Sequence, residues 1–309
     1  MMPRVFVTGA AGFLGRHTVR HMAQAGFAVA GIGHDAWRDA EWRSWGLDEW
    51  YPASISLASL RSLAERTGEP SMIFHCAGSG SVAFSLIHPY DDFKRTVDTT
   101  AQVLEFARTL STPPIVVYPS SAAVYGSTGV SPLKESRLPS PLSPYGVHKH
   151  MAEQLCTSYA RQWKIPVAIV RFFSLYGAGL CKQLLWDAAC KARDNAFSFF
   201  GSGEEQRDWL HVSDAATLMH LAASHASSAT PVANGGTGTG TTISEVLRIM
   251  GRHWPTPMAP AFTGQVKVGD PAHLVANTAI ATAWGFTPRI GLEQGVYQYI
   301  QWFCMEQGL

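Results

Sequence analysis

The chain has 309 residues and a formal net charge of only +1. That length can bury a large core in one or two domains, and the near-neutral balance gives no electrostatic case for a nucleic-acid or anionic-membrane partner. Five cysteines (Cys76, Cys156, Cys181, Cys190, Cys304) are odd in number and lack disulfide or metal-ligand spacing, so a reducing compartment and no metal site are expected.

Arg4-Val5-Phe6-Val7-Thr8 is a short apolar run that reads as a buried strand. It starts too early to leave room for a signal peptide, and no run approaches the ~18 apolar residues of a membrane span, so a cytoplasmic protein is expected. The strand runs into Gly9-Ala10-Ala11-Gly12-Phe13-Leu14-Gly15, then a helical pattern ending near Gly26, then a second strand at Phe27–Ile32. A glycine-rich turn between a strand and a helix is the geometry that receives a dinucleotide pyrophosphate. Gly9 permits the turn, Gly12 lets backbone approach the phosphates and Gly15 lets helix pack on strand. The spacing is G-x-x-G-x-x-G rather than the commoner G-x-G-x-x-G.

Further strands are predicted near 72–76, 114–118 and 166–171, with helices between, which implies a parallel sheet covered on both faces. The predicted helix 91–110 carries a wide apolar face (Phe93, Val97, Val103, Leu104, Phe106). At Pro119-Ser120-Ser121 an apolar strand ends in two serines, at the sheet edge where open α/β folds bind ligands. Then Ser143-Pro144-Tyr145-Gly146-Val147-His148-Lys149 places a phenol and an ammonium four residues apart. On a helix they share a face, and a positive charge lowers a tyrosine pKa toward the range useful for oxidising an alcohol or reducing a ketone. Beyond residue 173 the pattern turns irregular and rich in Gly, Pro and Trp, with 231–236 reading as a strand that returns to the sheet. His148 and His211 read as surface and loop-ordering residues, and the ten tryptophans as packing anchors.

Taken together, TGAAGFLG, PSSAAVYG and SPYGVHK resemble the extended short-chain dehydrogenase/reductases that act on nucleotide sugars. The resemblance continues at Phe74-His75-Cys76-Ala77-Gly78, at Arg171–Gly177, at Gly201–Asp214 and at Trp284–Gly295, nearly the whole chain. It implies a Rossmann-type doubly wound parallel sheet (1–172, with the returning strand) and a smaller, interleaved substrate-binding lobe (173–309). It implies an NAD(P) cofactor held by Gly9, Gly12, Phe13, Leu14, Gly15, Ala77 and Lys149, and a catalytic set Ser121, Tyr145 and Lys149. For the nucleotide-diphosphate sugar it implies Arg207 on the diphosphate, with Ser85, Thr96, Ser174 and Lys267 as further contacts. A homodimer through the helices 91–110 and after Tyr145 is the family's habit, though both could simply cover the sheet.

Departures from the family pattern narrow the chemistry. Gly33 stands where NAD-binding members carry an acidic residue on the adenosine ribose; His34 or Arg38 could then bind a 2′-phosphate, which favours NADP, while Asp35 could recover the ribose contact. Thr96 and Ser174 replace asparagines, and Lys267 replaces an arginine, losing bidentate geometry. Ala122 and Ala123 replace the acids that dehydratases and decarboxylases use. What remains is 4-epimerisation or 4-keto-sugar reduction with Tyr145 as acid/base; the alternative is a non-catalytic dinucleotide sensor or scaffold of the same fold.

Overall fold

In the computed structural model, described for residues 2–34, 37–126, 132–265 and 273–309, seven strands form one sheet: β1 (Arg4–Thr8), β2 (Ala28–Gly33), β3 (Glu49–Pro52), β4 (Met72–His75), β5 (Ile115–Ser121), β6 (Val167–Phe172) and β7 (Val232–Gly235). Their order is β7-β6-β5-β4-β1-β2-β3 and every pairing is parallel. The order reverses between β1 and β4, which opens a crevice at the carboxyl ends of the strands. Gly9, Cys76 and Ser121 lie at those ends. This is the Rossmann-type α/β fold expected from the sequence, and β7 is the returning strand predicted at 231–236.

Both faces of the sheet are apolar. On one, Val5, Val7, Val117 and Val170 pack against α1 (Phe13–Gln24) and α6 (Val212–His225). On the other, Phe6, Ile73, Val116 and Ile169 pack against α2 (Leu57–Thr67), α3 (Thr99–Thr109) and α4 (Pro144–Trp163). A third core joins α5 (Gln183–Arg193), α7 (Ile243–His253) and α8 (Leu292–Gln307) through Leu185, Leu247, Met250, Tyr299 and Phe303.

Three details differ from the sequence reading. The edge strand β3 was not predicted, because four residues (Glu49-Trp50-Tyr51-Pro52) are too short to show a period. The predicted helix 91–110 is broken: a short helix, Pro89–Phe93, passes through a π-helical turn, Lys94–Asp98, into α3. The segment beyond 173 carries five helices among its described residues, and α6 returns to pack on α1 and the sheet.

The start of α4 is written locally. Ser143 caps it by accepting from Gly146 N at 3.2 Å, and Pro144 occupies the first turn, where its missing N–H is no loss. Two turns on, Glu153 and Arg171 of β6 form a bidentate pair at 2.9 and 2.7 Å, each about 5% exposed or less. Burial opposes ionisation of Glu153, but Arg171 outweighs it and holds the carboxyl below its ordinary value. Replacing Glu153 by Gln strands a buried guanidinium, and a loss of roughly 3 kcal/mol is expected in urea unfolding near neutral pH. Because the folded-state value is depressed, the wild-type advantage is present above the ordinary carboxylate range and shrinks as pH falls through the folded value. An unchanged midpoint at neutral pH would show that the pair adds nothing to stability.

Candidate active site

The glycine turn is built for close approach. Gly9 has φ +63, its N–H donates to Ile32 O at 2.7 Å, and its carbonyl accepts from Gly12 N at 2.9 Å. A Cβ at Gly9 would lie 2.7 Å from Ala77 N, and one at Gly15 would overlap the Gly9 carbonyl. Gly12 caps α1 with no side-chain hydrogen bond, so the first amides of this helix face outward. Unsatisfied amides at a helix N-terminus suit a phosphate. The turn therefore fits a dinucleotide, which Gly9, Gly12, Phe13, Leu14 and Gly15 would hold; all but Gly9 line the adjoining cavity of about 250 Å³.

A buried polar chain holds the turn to β4. Thr100 Oγ1 donates to Thr96 O at 2.6 Å, so it accepts from His75 Nε2 at 3.1 Å. His75 Nδ1 then accepts from Thr8 Oγ1 at 2.7 Å, and Thr8 accepts from Ala77 N at 3.1 Å. Every link requires a neutral imidazole carrying its proton on Nε2. Burial, reinforced by the Lys149 charge, pushes the His75 pKa down to about 3, in agreement. Thr96 Oγ1 accepts from Ser79 N at 3.3 Å. Thr96 is 1% exposed, so it serves this scaffold rather than the substrate contact expected of it.

Ser121, Tyr145 and Lys149 converge beyond that turn. Ser121 Oγ accepts from Ala123 N at 3.2 Å and borders the same two cavities as the Tyr145 phenol, whose ionised form it favours. Lys149 Nζ is buried, donates to Pro119 O at 3.0 Å, and lies 6.0 Å from the Tyr145 ring centre. Burial drives the Lys149 pKa down to about 8, partly countered by Cys76, Asp92 and Glu153. The expected lowering of Tyr145 is not found. Burial raises its pKa, the Ser121 hydrogen bond offsets part of the rise, and the Asp92 charge adds to it. The ammonium is turned toward a carbonyl, and desolvation of the phenol wins.

Ser85, expected to touch substrate, is wholly buried. Its hydroxyl donates to Val82 O at 2.7 Å and accepts from Tyr145 N at 3.0 Å, which commits it to positioning the catalytic helix. Ser174 and Arg207 do line a second cavity, of about 570 Å³, together with Ala122 and Ala123. The two cavities share Ser121, Tyr145, Lys182 and Gln183. Arg207 Nη1 donates to Gln206 O at 2.9 Å, and the next residue, Asp208, is buried and accepts from Thr237 N and Oγ1, Gly238 N and Ala276 N at 2.6 to 3.1 Å. Among the described residues, no Asp, Glu or His lines either cavity.

A model of the NAD dependent epimerase/dehydratase family matches residues 5–234. The chain belongs to that family. It is an extended short-chain dehydrogenase/reductase, an NAD(P)-dependent hydride-transfer enzyme acting on a nucleotide-activated sugar. Curated relatives include a UDP-glucose 4-epimerase of Azospirillum brasilense, 29% identical over 93% of this chain and 88% of its own. A probable UDP-glucuronate 4-epimerase of Rhizobium meliloti is 25% identical over 97% of this chain and 96% of its own. Among solved structures, MoeE5 in complex with UDP-glucuronic acid and NAD is 30% identical, with TM-score 0.84 over 99% of this chain and 100% of that one. A UDP-glucose 4-epimerase from Thermotoga maritima with UDP-glucose reaches TM-score 0.89 over 98% and 99% at 24% identity, a likeness of fold alone.

Against the family pattern, the absence of an acid at Gly33 has a steric cause. A Cβ there would come within 3.0 Å of the Trp50 ring from β3, so the space of a carboxylate is filled. His34 and Arg38 are both exposed; Asp35 and Lys267 lie outside the described residues. Cys76 lines the first cavity, but burial pushes its thiol up to about 12, which rules out a thiolate near neutral pH. Reading the sequence by motif missed Lys182 and Gln183, which border both cavities at the start of α5, and the 2.6 Å contact between His148 and Asp92. The positive φ of Gln183 (+66) leaves no mark in sequence. No group of three or more potential metal ligands occurs among the described residues, and none of their helices is long and apolar enough to cross a membrane. Gly15→Ala should reduce NAD(P) affinity at least about tenfold with the fold retained, because the added methyl must displace the Gly9 carbonyl from the phosphate turn. Calorimetric titration with unchanged circular dichroism checks this; undiminished affinity would remove the turn from the cofactor site.

Proposed function

We propose that this enzyme is a UDP-sugar 4-epimerase working with NAD. The observation that carries the reading is the junction of the two cavities. Ser121 and Tyr145 border both, no carboxylate or imidazole of the described residues does, and alanines fill positions 122 and 123. Dehydration and decarboxylation lack the carboxylates they use at 122 and 123, whereas exchange at one sugar oxygen needs only the phenol. The names of the relatives support position 4 and a uridine nucleotide.

Arg207 binds the diphosphate, with Lys267 and Ser174 alongside, and the sugar lies between Ser121 and Tyr145. Tyr145 takes the proton from the oxygen on carbon 4 and returns it after the ring has turned over. Ser121 hydrogen-bonds that oxygen and the phenol, keeping them aligned. Lys149 holds the cofactor ribose and supplies the positive charge beside the phenolate. When bound, the nicotinamide accepts and returns the hydride and adds a positive charge that helps Tyr145 ionise.

The NADP preference read from Gly33 gives way to NAD, the cofactor in the complex of the 30% identical MoeE5. Residues 173–309, less the parts returning to the sheet, form the substrate lobe. A homodimer through α3 and α4 is supported by the exposure of Val147 (40%) and Trp163 (43%) on α4. A cytoplasmic site suits five free cysteines. A sensor or scaffold would have no use for Ser121, Tyr145 and Lys149 gathered at one junction.

Tyr145→Phe should lower interconversion of UDP-glucose and UDP-galactose by about 10²–10⁴-fold while NAD binding is kept; undiminished turnover would end this account. Denaturing freshly purified protein should release near-stoichiometric NAD, as expected of an enzyme that recycles a captive cofactor. Empty protein that takes up NADPH well ahead of NADH would point to a 4-keto-sugar reductase instead.

A further inference from the structure

Behind the catalytic helix lies a pair that the reaction above leaves unused. Asp92, in the short helix Pro89–Phe93, is wholly buried, and its Oδ2 stands 2.6 Å from His148 Nδ1. Its other oxygen, Oδ1, is buried without a hydrogen-bond partner. His148 follows Tyr145 by three residues and precedes Lys149, and its imidazole packs edge-on against Phe93 at 5.6 Å. Its side chain is 13% exposed, so the sequence reading of a surface histidine does not hold.

A carboxylate buried with one of its oxygens unpartnered is unfavourable. If the pair served only to join two helices, apolar side chains of similar volume would do so at least as well. The placement has an electrostatic consequence instead. The groups acting on Tyr145 are Ser121 from β5, Lys149 on its own helix, and Asp92 from the short helix, held at 2.6 Å by His148 one turn along α4 from Tyr145. Those facing Lys149 are the Pro119 carbonyl and the Tyr118 ring from β5, His75 of β4 and Cys76 just past its end, Asp92, and Glu153 and Cys156 on α4. Of the two carboxylates, Glu153 is already engaged on both oxygens by Arg171. Asp92 is the one whose charge remains for the catalytic pair.

We propose that Asp92 and His148 are positioning residues of the catalytic centre: Asp92 supplies the buried negative charge against which Tyr145 and Lys149 hold their protons, and His148 fixes that carboxylate in register with them. The inference rests on Tyr145 being the proton-exchanging group of the proposed function. It gives the pair a definite sign. Asp92 keeps the resting phenol protonated, so ionisation is reserved for the loaded site, and it keeps Lys149 charged despite burial.

The test is the ionisation of Tyr145 itself, read as the tyrosinate absorbance step present in wild type and missing in Tyr145→Phe. Asp92→Asn keeps the shape and a contact to His148 but removes the charge, and the step should move down by about one pH unit. His148→Gln, which retains an N–H for Asp92, should leave the step near its wild-type position. The pH dependence of kcat/KM for UDP-glucose should move with the absorbance. A helix clamp without electrostatic purpose would lower kcat or stability and leave the midpoint in place; an unmoved step in folded Asp92→Asn therefore overturns the proposal. If that variant does not fold, His148→Leu is read in its place: loss of the Nδ1 contact frees the carboxylate from its register with Tyr145 and the step should again move, whereas an unmoved step overturns the proposal. Absence of turnover on UDP-glucose with the absorbance shift intact would refute the substrate assignment and leave this inference standing.

Discussion

A buried ammonium organises this active site. Lys149 is 6% exposed, and its nearest acceptor is a neutral carbonyl, Pro119 O at 3.0 Å. Taking such a charge out of water is unfavourable by several kcal/mol unless surrounding dipoles and charges offset it. Here the offset is distributed: the Pro119 carbonyl, the face of Tyr118 at 5.0 Å, and the Asp92 and Glu153 carboxylates. They come from three elements, β5, the short helix before the π-helical turn, and α4 itself. The lysine can therefore sit where it does only if those elements are in register. The register is enforced by His148 on Asp92 and by contacts from flanking elements, Ser85 of the helix Val82–Ile87 on Tyr145 N and Arg171 of β6 on Glu153.

The same logic explains the neutral chain beneath the glycine turn. A protonated His75 beside Lys149 would place two buried cations together, and the donor sequence from Ala77 through Thr8, His75 and Thr100 leaves no place for a second imidazole proton. The chain thus fixes the Ala77 amide and the Thr96 carbonyl without adding charge. The π-helical turn at Lys94–Asp98 falls where Thr96 serves both Thr100 and Ser79. Such turns are rare within helices and gather at functional sites.

How much of this could be read from the residues follows from the range of each interaction. The glycine turn, the serine strand end and the Tyr-x-x-x-Lys helix are local, and a few residues of known spacing suffice to place them. β3 was invisible because Trp50 and Tyr51 in a four-residue edge strand carry no period, yet Trp50 decides what can stand at position 33. The fates of Ser85 and Thr96 were misread for a different reason: a hydroxyl near a site is available to substrate only if no backbone group has claimed it. Residues some 60 positions apart settle that in the case of Ser85 and Tyr145. The direction of the Tyr145 shift was equally out of reach, because helical spacing reports that Lys149 is near and not which way its ammonium points.

The chemistry of this site is narrowed by what its walls lack. Carboxylates are absent from positions 122 and 123 and, among the described residues, from the lining of both cavities, so the walls about Ser121 and Tyr145 offer small apolar surfaces and very few proton carriers. A site of that kind offers no second carboxylate or imidazole among the described residues for elimination from a ring carbon. It can support a reaction in which one oxygen loses and regains the same proton. Such a reaction is reversible by construction, because the group that acts as base on one face of the sugar is the acid for the other. The phenol raised by burial suits that requirement: it holds its proton in the resting protein and gives it up only when charge is brought to it. The larger cavity, which such a sugar would occupy, is walled in part by the short apolar side chains of Ala122, Ala123, Val82 and Ala83.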